Sequence, residues 1–132
     1  MKLNKQQTIK LHLKGKMTGS YVYGKPTIDS DINLFIKKSD FINIFDEAVM
    51  DLIFPYSNFE KIEYLTAIFK NKDYKIFICK DSETFNIIKE TTKLLKKKFQ
   101  SGLDPNHHFL TNKSFRVITS AMIIRLISKY KL

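Results

Sequence analysis

Apolar residues recur along this 132-residue chain in two periods, and the changes of period mark out its elements. From Asn4 to about Lys14, Ile9 and Leu13 stand four apart, the spacing of one helical face, and Gly15 is placed to end that helix. Lys16-Met17-Thr18 reads as a short strand leading into a Gly19-Ser20 turn, and Tyr21 to Gly24 begin the next turn or helix. Lys25 to Ser30 reads as loop, because Pro26 and the Asp29-Ser30 pair favour turns. Asp31 to Lys37 then alternates as a strand does. Ile32, Leu34 and Ile36 share one face; Asp31, Asn33 and Phe35 share the other.

Helical spacing returns next. Ser39 or Asp40 caps a predicted helix to about Ile53, with Phe41, Phe45, Ala48 and Leu52, flanked by Ile42, Val49 and Ile53, as a wide apolar stripe. Pro55 stops it. Two strands follow, Lys61 to Phe69 and Asp73 to Cys79, and the Lys70-Asn71-Lys72 connection suits a hairpin. Ser82 opens a helix to about Phe99, with Phe85, Ile88, Leu95 and Phe99 on one face. Gln100 to Thr111 reads as loop, and Asn112 caps a last helix through Ser128. The order α-β-α-β-α-β-β-α-α predicts an α+β fold: one domain over residues 1–132, with helices flanking a small mixed or antiparallel sheet.

Composition narrows the classes. With 43% apolar residues and eleven Phe there is material for one core. No apolar run approaches bilayer length, and basic Met1 to Lys16 never becomes a continuous apolar segment, so no membrane partner or secretory signal is expected. The single cysteine, Cys79, forms neither an internal disulfide nor a Cys-based zinc site and points to the cytoplasm. A net charge of +10 favours nucleic acid, nucleotide phosphates or an acidic protein surface as partners. Joint enrichment in Lys, Ile, Asn and Phe is also what AT-rich coding produces, so charge alone decides little.

The chemistry concentrates at Gly19-Ser20 and at Asp31-Ile32-Asn33-Leu34. A tight turn beside a strand headed by a carboxylate is a means of holding a nucleoside triphosphate against a divalent metal. Carboxylates two residues apart on a strand share a face and can bind the same ions. Backbone N–H groups of the turn can hold phosphate oxygens.

Gly19-Ser20-Tyr21-Val22-Tyr23-Gly24 followed by Ser30-Asp31-Ile32-Asn33-Leu34 resembles the signature of the DNA polymerase beta-like nucleotidyltransferase superfamily. Within it, the chain is similar to small phage-encoded nucleotidyltransferase-like proteins, over roughly residues 16 to 98. The resemblance implies transfer of a nucleoside monophosphate from an NTP to a hydroxyl with Mg²⁺, in the host cytoplasm for a phage protein. It implies Gly19, Ser20, Gly24 and Ser30 as nucleotide contacts, and Asp31 and Asn33 as catalytic metal ligands.

The chain departs from that pattern. Asn33 stands where active members carry the second carboxylate, and Lys75 falls at the position of the third. Asp73, on the same strand face as Lys75, and Glu63 on the preceding strand are the substitutes available. A second reading therefore stays open, a catalytically silent protein binding nucleic acid or a host protein through its basic surface. It predicts a Lys75–Asp31 contact in place of metal. A third is a basic α+β nucleic-acid-binding domain whose motif is accidental.

Other groups carry weaker signals. His107-His108, with Asp104, reads as surface loop more readily than as a metal site, and His12 stands alone. Lys93, Lys96, Lys97 and Lys98, with Lys89, Lys113 and Arg116, form a phosphate-backbone patch or simply a well-charged helix end. Tyr21 and Tyr23 could stack on a base or complete the core. The segment from Phe115 to Ile127 is apolar on most sides and needs more than one neighbour, within the domain or across a homodimer.

Overall fold

A five-stranded mixed sheet organises the computed structural model, which describes residues 1–23, 28–56 and 59–100. Its strands are β1 (Lys16–Thr18), β2 (Ile32–Lys37), β3 (Phe54–Tyr56), β4 (Phe59–Phe69) and β5 (Lys72–Cys79), in the order β1-β2-β5-β4-β3. β2 and β5 run parallel, and the other neighbours run antiparallel. The described helices are α1 (Lys5–Lys14), α2 (Ser20–Tyr23), α3 (Lys38–Ile44) and α4 (Ser82–Gln100), with a 3₁₀ helix at Glu47–Leu52. The chain thus has the expected α+β class. Gly24, the loop from Ser101, His107-His108 and the last predicted helix lie outside the described residues. Among the described residues no helix is long and apolar enough to cross a membrane.

β2 is central because it is apolar on both faces. Leu34, Phe35 and Ile36 are successively 0%, 1% and 0% exposed, the signature of a strand covered from both sides. On one face Leu34 and Ile36 join Leu11 of α1, Phe41 of α3, Leu65, Ile76 and Ile78. On the other, Phe35 meets Phe85 of α4 at 5.0 Å between ring centroids, with Ile62, Cys79, Ile88 and Leu95 around them. The predicted split of β2 side chains holds.

Three expectations need correction. The α1 pair Ile9 and Leu13 is 50% and 75% exposed; the packed residues are Thr8 and Leu11. Asn4 caps this helix in a capping box with Gln7. Gly15 ends it without a positive φ. A side chain there would press on the Leu11 carbonyl at 2.7 Å.

The helix predicted through Ile53 instead breaks at Phe45, which adopts extended dihedrals (φ −117, ψ 151) so that it can stack on Phe41 in the core. Burying Phe45 outweighs continuing the helical hydrogen bonds, and the 3₁₀ helix after it has no buried residue. Its start also differs: Lys37 is the N-cap, without a side-chain hydrogen bond, and Ser39 and Asp40 lie inside the first turn.

Pro55 does more than stop a helix. It sits in β3, an edge strand where a missing N–H is tolerated. Finally, Lys70 and Asn71 form a two-residue hairpin loop with both φ positive (48 and 63), the geometry that matches strand twist. That hairpin was expected, though β5 begins one residue earlier, at Lys72.

Asp81 fixes the start of α4. Its Oδ1 accepts the Thr84 N–H at 2.8 Å, and its Oδ2 lies 3.1 Å from the Lys61 ammonium. Burial works against the charged carboxylate, but the Thr84 N–H and Lys61 outweigh it and hold the group below its ordinary 3.8. A carboxyl depressed on folding stabilises fully above its unfolded value, and that contribution fades as pH falls below 3.8 through the folded value. Asp81→Ala should therefore cost about 1 kcal/mol near neutral pH. In urea titrations the difference from wild type should shrink in strong acid; a constant difference would mean the charge is irrelevant.

Candidate functional site

β1 is held down at its end by a buried contact, Thr18 Oγ1 to Thr92 Oγ1 of α4 at 2.8 Å. The chain then reverses at Gly19, whose φ of +78 lies in the left-handed region that favours glycine. It continues into α2, opened by Ser20, with the Val22 N–H donating to the Gly19 carbonyl at 2.9 Å. Gly19 is also closely approached. A Cβ at this position would stand 2.6 Å from Nδ2 of Asn33. The turn rests on the Asn33 carboxamide, whereas the residue expected beside it was the carboxylate of Asp31.

Across the sheet, Asn33 is paired with Thr18 of β1 on one side and Lys75 of β5 on the other. Thr66 of β4 continues the row beyond Lys75. Lys75 thus stands opposite Asn33 on the neighbouring strand. Its head group does not reach Asp31 in an ion pair; that expectation fails. The ammonium instead lies 5.4, 5.1 and 5.6 Å from the ring centroids of Tyr56, Tyr64 and Phe77. Three ring faces offer a partly buried cation more than an exposed carboxylate does.

The acids do not assemble. Asp31 is exposed and precedes β2, and Asp73 is exposed on β5. Each stands one residue before the first β2–β5 pair, Ile32 with Tyr74. Glu63 lies on the opposite face from Lys75, and its carboxylate is bound by Lys38 at 2.9 Å. It is removed as a substitute ligand. Among the described residues no group of three His, Cys, Asp or Glu side chains could hold a metal ion. A two-metal centre needs several anionic oxygens around each ion, and a neutral amide facing an ammonium does not fit it.

The remaining predicted contacts are positional. Ser30 is 5% exposed, in the loop before β2, and its carbonyl accepts from the Tyr21 hydroxyl at 3.5 Å. Lys72 was not singled out by the sequence, yet it ties that loop to the sheet. Its Nζ donates to the Ile28 carbonyl at 3.3 Å and lies 5.0 Å from the Tyr21 ring centroid. Tyr21 therefore completes local packing.

His12 pairs with the Tyr74 hydroxyl at 3.0 Å. Burial, against the opposing pull of Lys72, raises that hydroxyl above its ordinary value. Burial, and then the charge of Asp81, push the Cys79 thiol up to about 12, which excludes thiolate chemistry. Sequence reasoning missed the ring cluster. Tyr64 and Phe77 were visible as alternating strand residues, but Tyr56 required β3 to be recognised.

No family model, curated protein or solved structure matches the chain.

Gly19→Ala should destabilise the protein by roughly 1–2 kcal/mol through its left-handed backbone alone, and more through displacement of the Asn33 amide. The second part is separable. In an Asn33→Ala background the cost of Gly19→Ala should be smaller, measured by urea denaturation of all four proteins of the cycle. Equal costs in both backgrounds would dismiss the contact.

Proposed function

We propose that this chain is a catalytically silent nucleotidyltransferase-like protein that binds nucleoside triphosphate through its phosphates, in the cytoplasm. The observation that carries the reading is the in-register pairing of Asn33 with Lys75 beneath the Gly19 turn. Magnesium asks for oxygen ligands, one or two of them protein carboxylates beside waters and phosphate oxygens. Phosphate oxygens ask for N–H donors and positive charge. Asn33 and Lys75 supply the second set in the place where the resemblance calls for the first.

The ammonium of Lys75 is also not neutralised. The ion pairs of the described residues, Lys38–Glu63 and Lys61–Asp81, do not include it. Aromatic faces orient a cation without removing its charge, so Lys75 remains a donor for a phosphate oxygen arriving from solvent. Asp31 and Asp73, at the ends of their strands, mark the side from which a polyphosphate is repelled.

Calorimetric titration with NTPs tests this directly. Affinity should be the same in Mg²⁺ and in chelator, and pyrophosphate should not be released. Lys75→Ala should weaken binding by roughly tenfold or more, the scale of a lost charge-assisted hydrogen bond. Binding that disappears on chelation, or that ignores Lys75, would reject the reading.

A complementary gain is expected from Asn33→Asp combined with Lys75→Asp. This variant should acquire a Mg²⁺-dependent rise in melting temperature that the wild type lacks. A wild type already stabilised by Mg²⁺ would contradict the proposal.

A further inference from the structure

We infer that the sheet face presented by β3, β4 and β5 is a stacking surface for single-stranded nucleic acid. Four aromatic side chains meet there. Tyr56 lies 5.0 Å from Phe77 and 6.0 Å from Tyr64, and Phe54 lies 6.2 Å from Tyr64, between ring centroids. These rings come from three different strands, so the sheet itself sets their spacing. Phe54, on the edge strand, is 56% exposed, and Tyr56, Tyr64 and Phe77 are half-buried. α4 packs on this same face: Phe85 covers Phe35 one strand further on, and Tyr56 and Phe77 border that cluster. Core formation accounts for Phe35 and for the inner edges of Tyr56 and Phe77; it does not account for the open phenyl ring of Phe54 on β3.

The chemistry of the patch selects among partners. A purely apolar ligand would gain nothing from a cation set among the rings, yet Lys75 lies within 5.6 Å of three of them. A nucleic-acid strand offers both matching parts, π-faces for the rings and phosphates for the ammonium. Asn33 and Thr66, which flank Lys75 in the same row, add polar groups along the path. The net charge of +10 complements a polyanion over the whole molecule. Duplex DNA hides its base faces, so the exposed ring argues for a single strand. The inference goes beyond the NTP reading and does not need it, because a free nucleotide has one base while this surface presents several rings.

The test is fluorescence anisotropy of the full chain with a labelled single-stranded oligonucleotide of roughly 12 nucleotides, within the site sizes typical of such surfaces. The same oligonucleotide annealed to its complement is the comparison. The single strand should bind more tightly than the duplex. Phe54→Ala and Tyr64→Ala should each weaken single-strand binding by about tenfold. Phe54→Tyr should retain binding, whereas Phe54→Leu should not. The salt slope of Phe54→Ala should equal that of wild type, since no phosphate contact is removed.

Phe54 is exposed enough to be replaced without unfolding, and circular dichroism of each variant checks this. Coincident curves for wild type, Phe54→Ala and Tyr64→Ala would overturn the inference. So would equal affinity for duplex, wild-type binding by Phe54→Leu, absence of binding, or equally effective displacement by an acidic peptide. Failure of the NTP reading looks different: no heat with NTP while oligonucleotide binding and its dependence on Phe54 persist.

Discussion

Parallel strands cannot be joined by a tight turn, so β2 and β5 rely on their side chains to fix register. Leu34 against Ile76 and Ile36 against Ile78 fill the α1–α3 side, while Phe35 against Phe77 fills the other. A slip of one residue would send Phe35 into a space shaped for branched aliphatics and turn Leu34 and Ile36 towards α4. Such a slip is excluded by the burial it would forfeit, on the order of 1.5–3 kcal/mol for each large side chain exposed. The same ladder fixes Asn33 opposite Lys75. The core therefore determines which polar groups confront one another at the candidate site, and the site cannot be retuned by sliding the strands.

Around that fixed pair, smaller features follow. The Gly19 turn lies close because Thr18 is paired with Asn33 and anchored to Thr92. A side chain there would have to displace the amide, so glycine at position 19 reflects both its backbone angle and the amide beneath it. On the far side, the Pro55/Tyr56 irregularity of β3 lets Tyr56 reach Tyr64 and Phe77. Those rings receive the ammonium of Lys75. A cation in the middle of a sheet is thereby accommodated without a carboxylate.

Much of this was legible in the chain, and the parts that were not share a cause. The two faces of β2 could be read because side chains of a strand alternate with a fixed phase, whichever residues are apolar. The hairpin and the Lys75 position were legible for the same reason. Periodicity failed where tertiary contacts chose among locally similar options. Ile9 and Leu13 have the spacing of a buried face, but the sheet meets α1 at Thr8 and Leu11. Phe45 has the spacing of a continuing helix, but the core draws it inward and breaks the chain into α3 and a 3₁₀ helix. Pro55 reads as a terminator in one dimension and as an edge-strand residue in three. Because β3 was missed, so was Tyr56, and with it the destination of Lys75.

Charge separates this site from the metal centre that the resemblance implies. A carboxylate at each of the three expected positions would concentrate negative potential that only divalent ions could neutralise. Asp31, Asn33 and Lys75 instead carry one negative charge, none and one positive charge, and Asp31 stands exposed at the strand end. The attraction that three carboxylates would exert on Mg²⁺ is absent, and phosphate meets an ammonium at position 75 although Asp31 still repels it. Either replacement alone would leave a poor metal site or a neutralising salt bridge. Together, with the ammonium held by rings and not by an acid, they yield a surface whose potential and aromatic faces both suit nucleotides. Under the proposed function the turn and the ladder serve phosphate binding, and the metal on which transfer depends has no place.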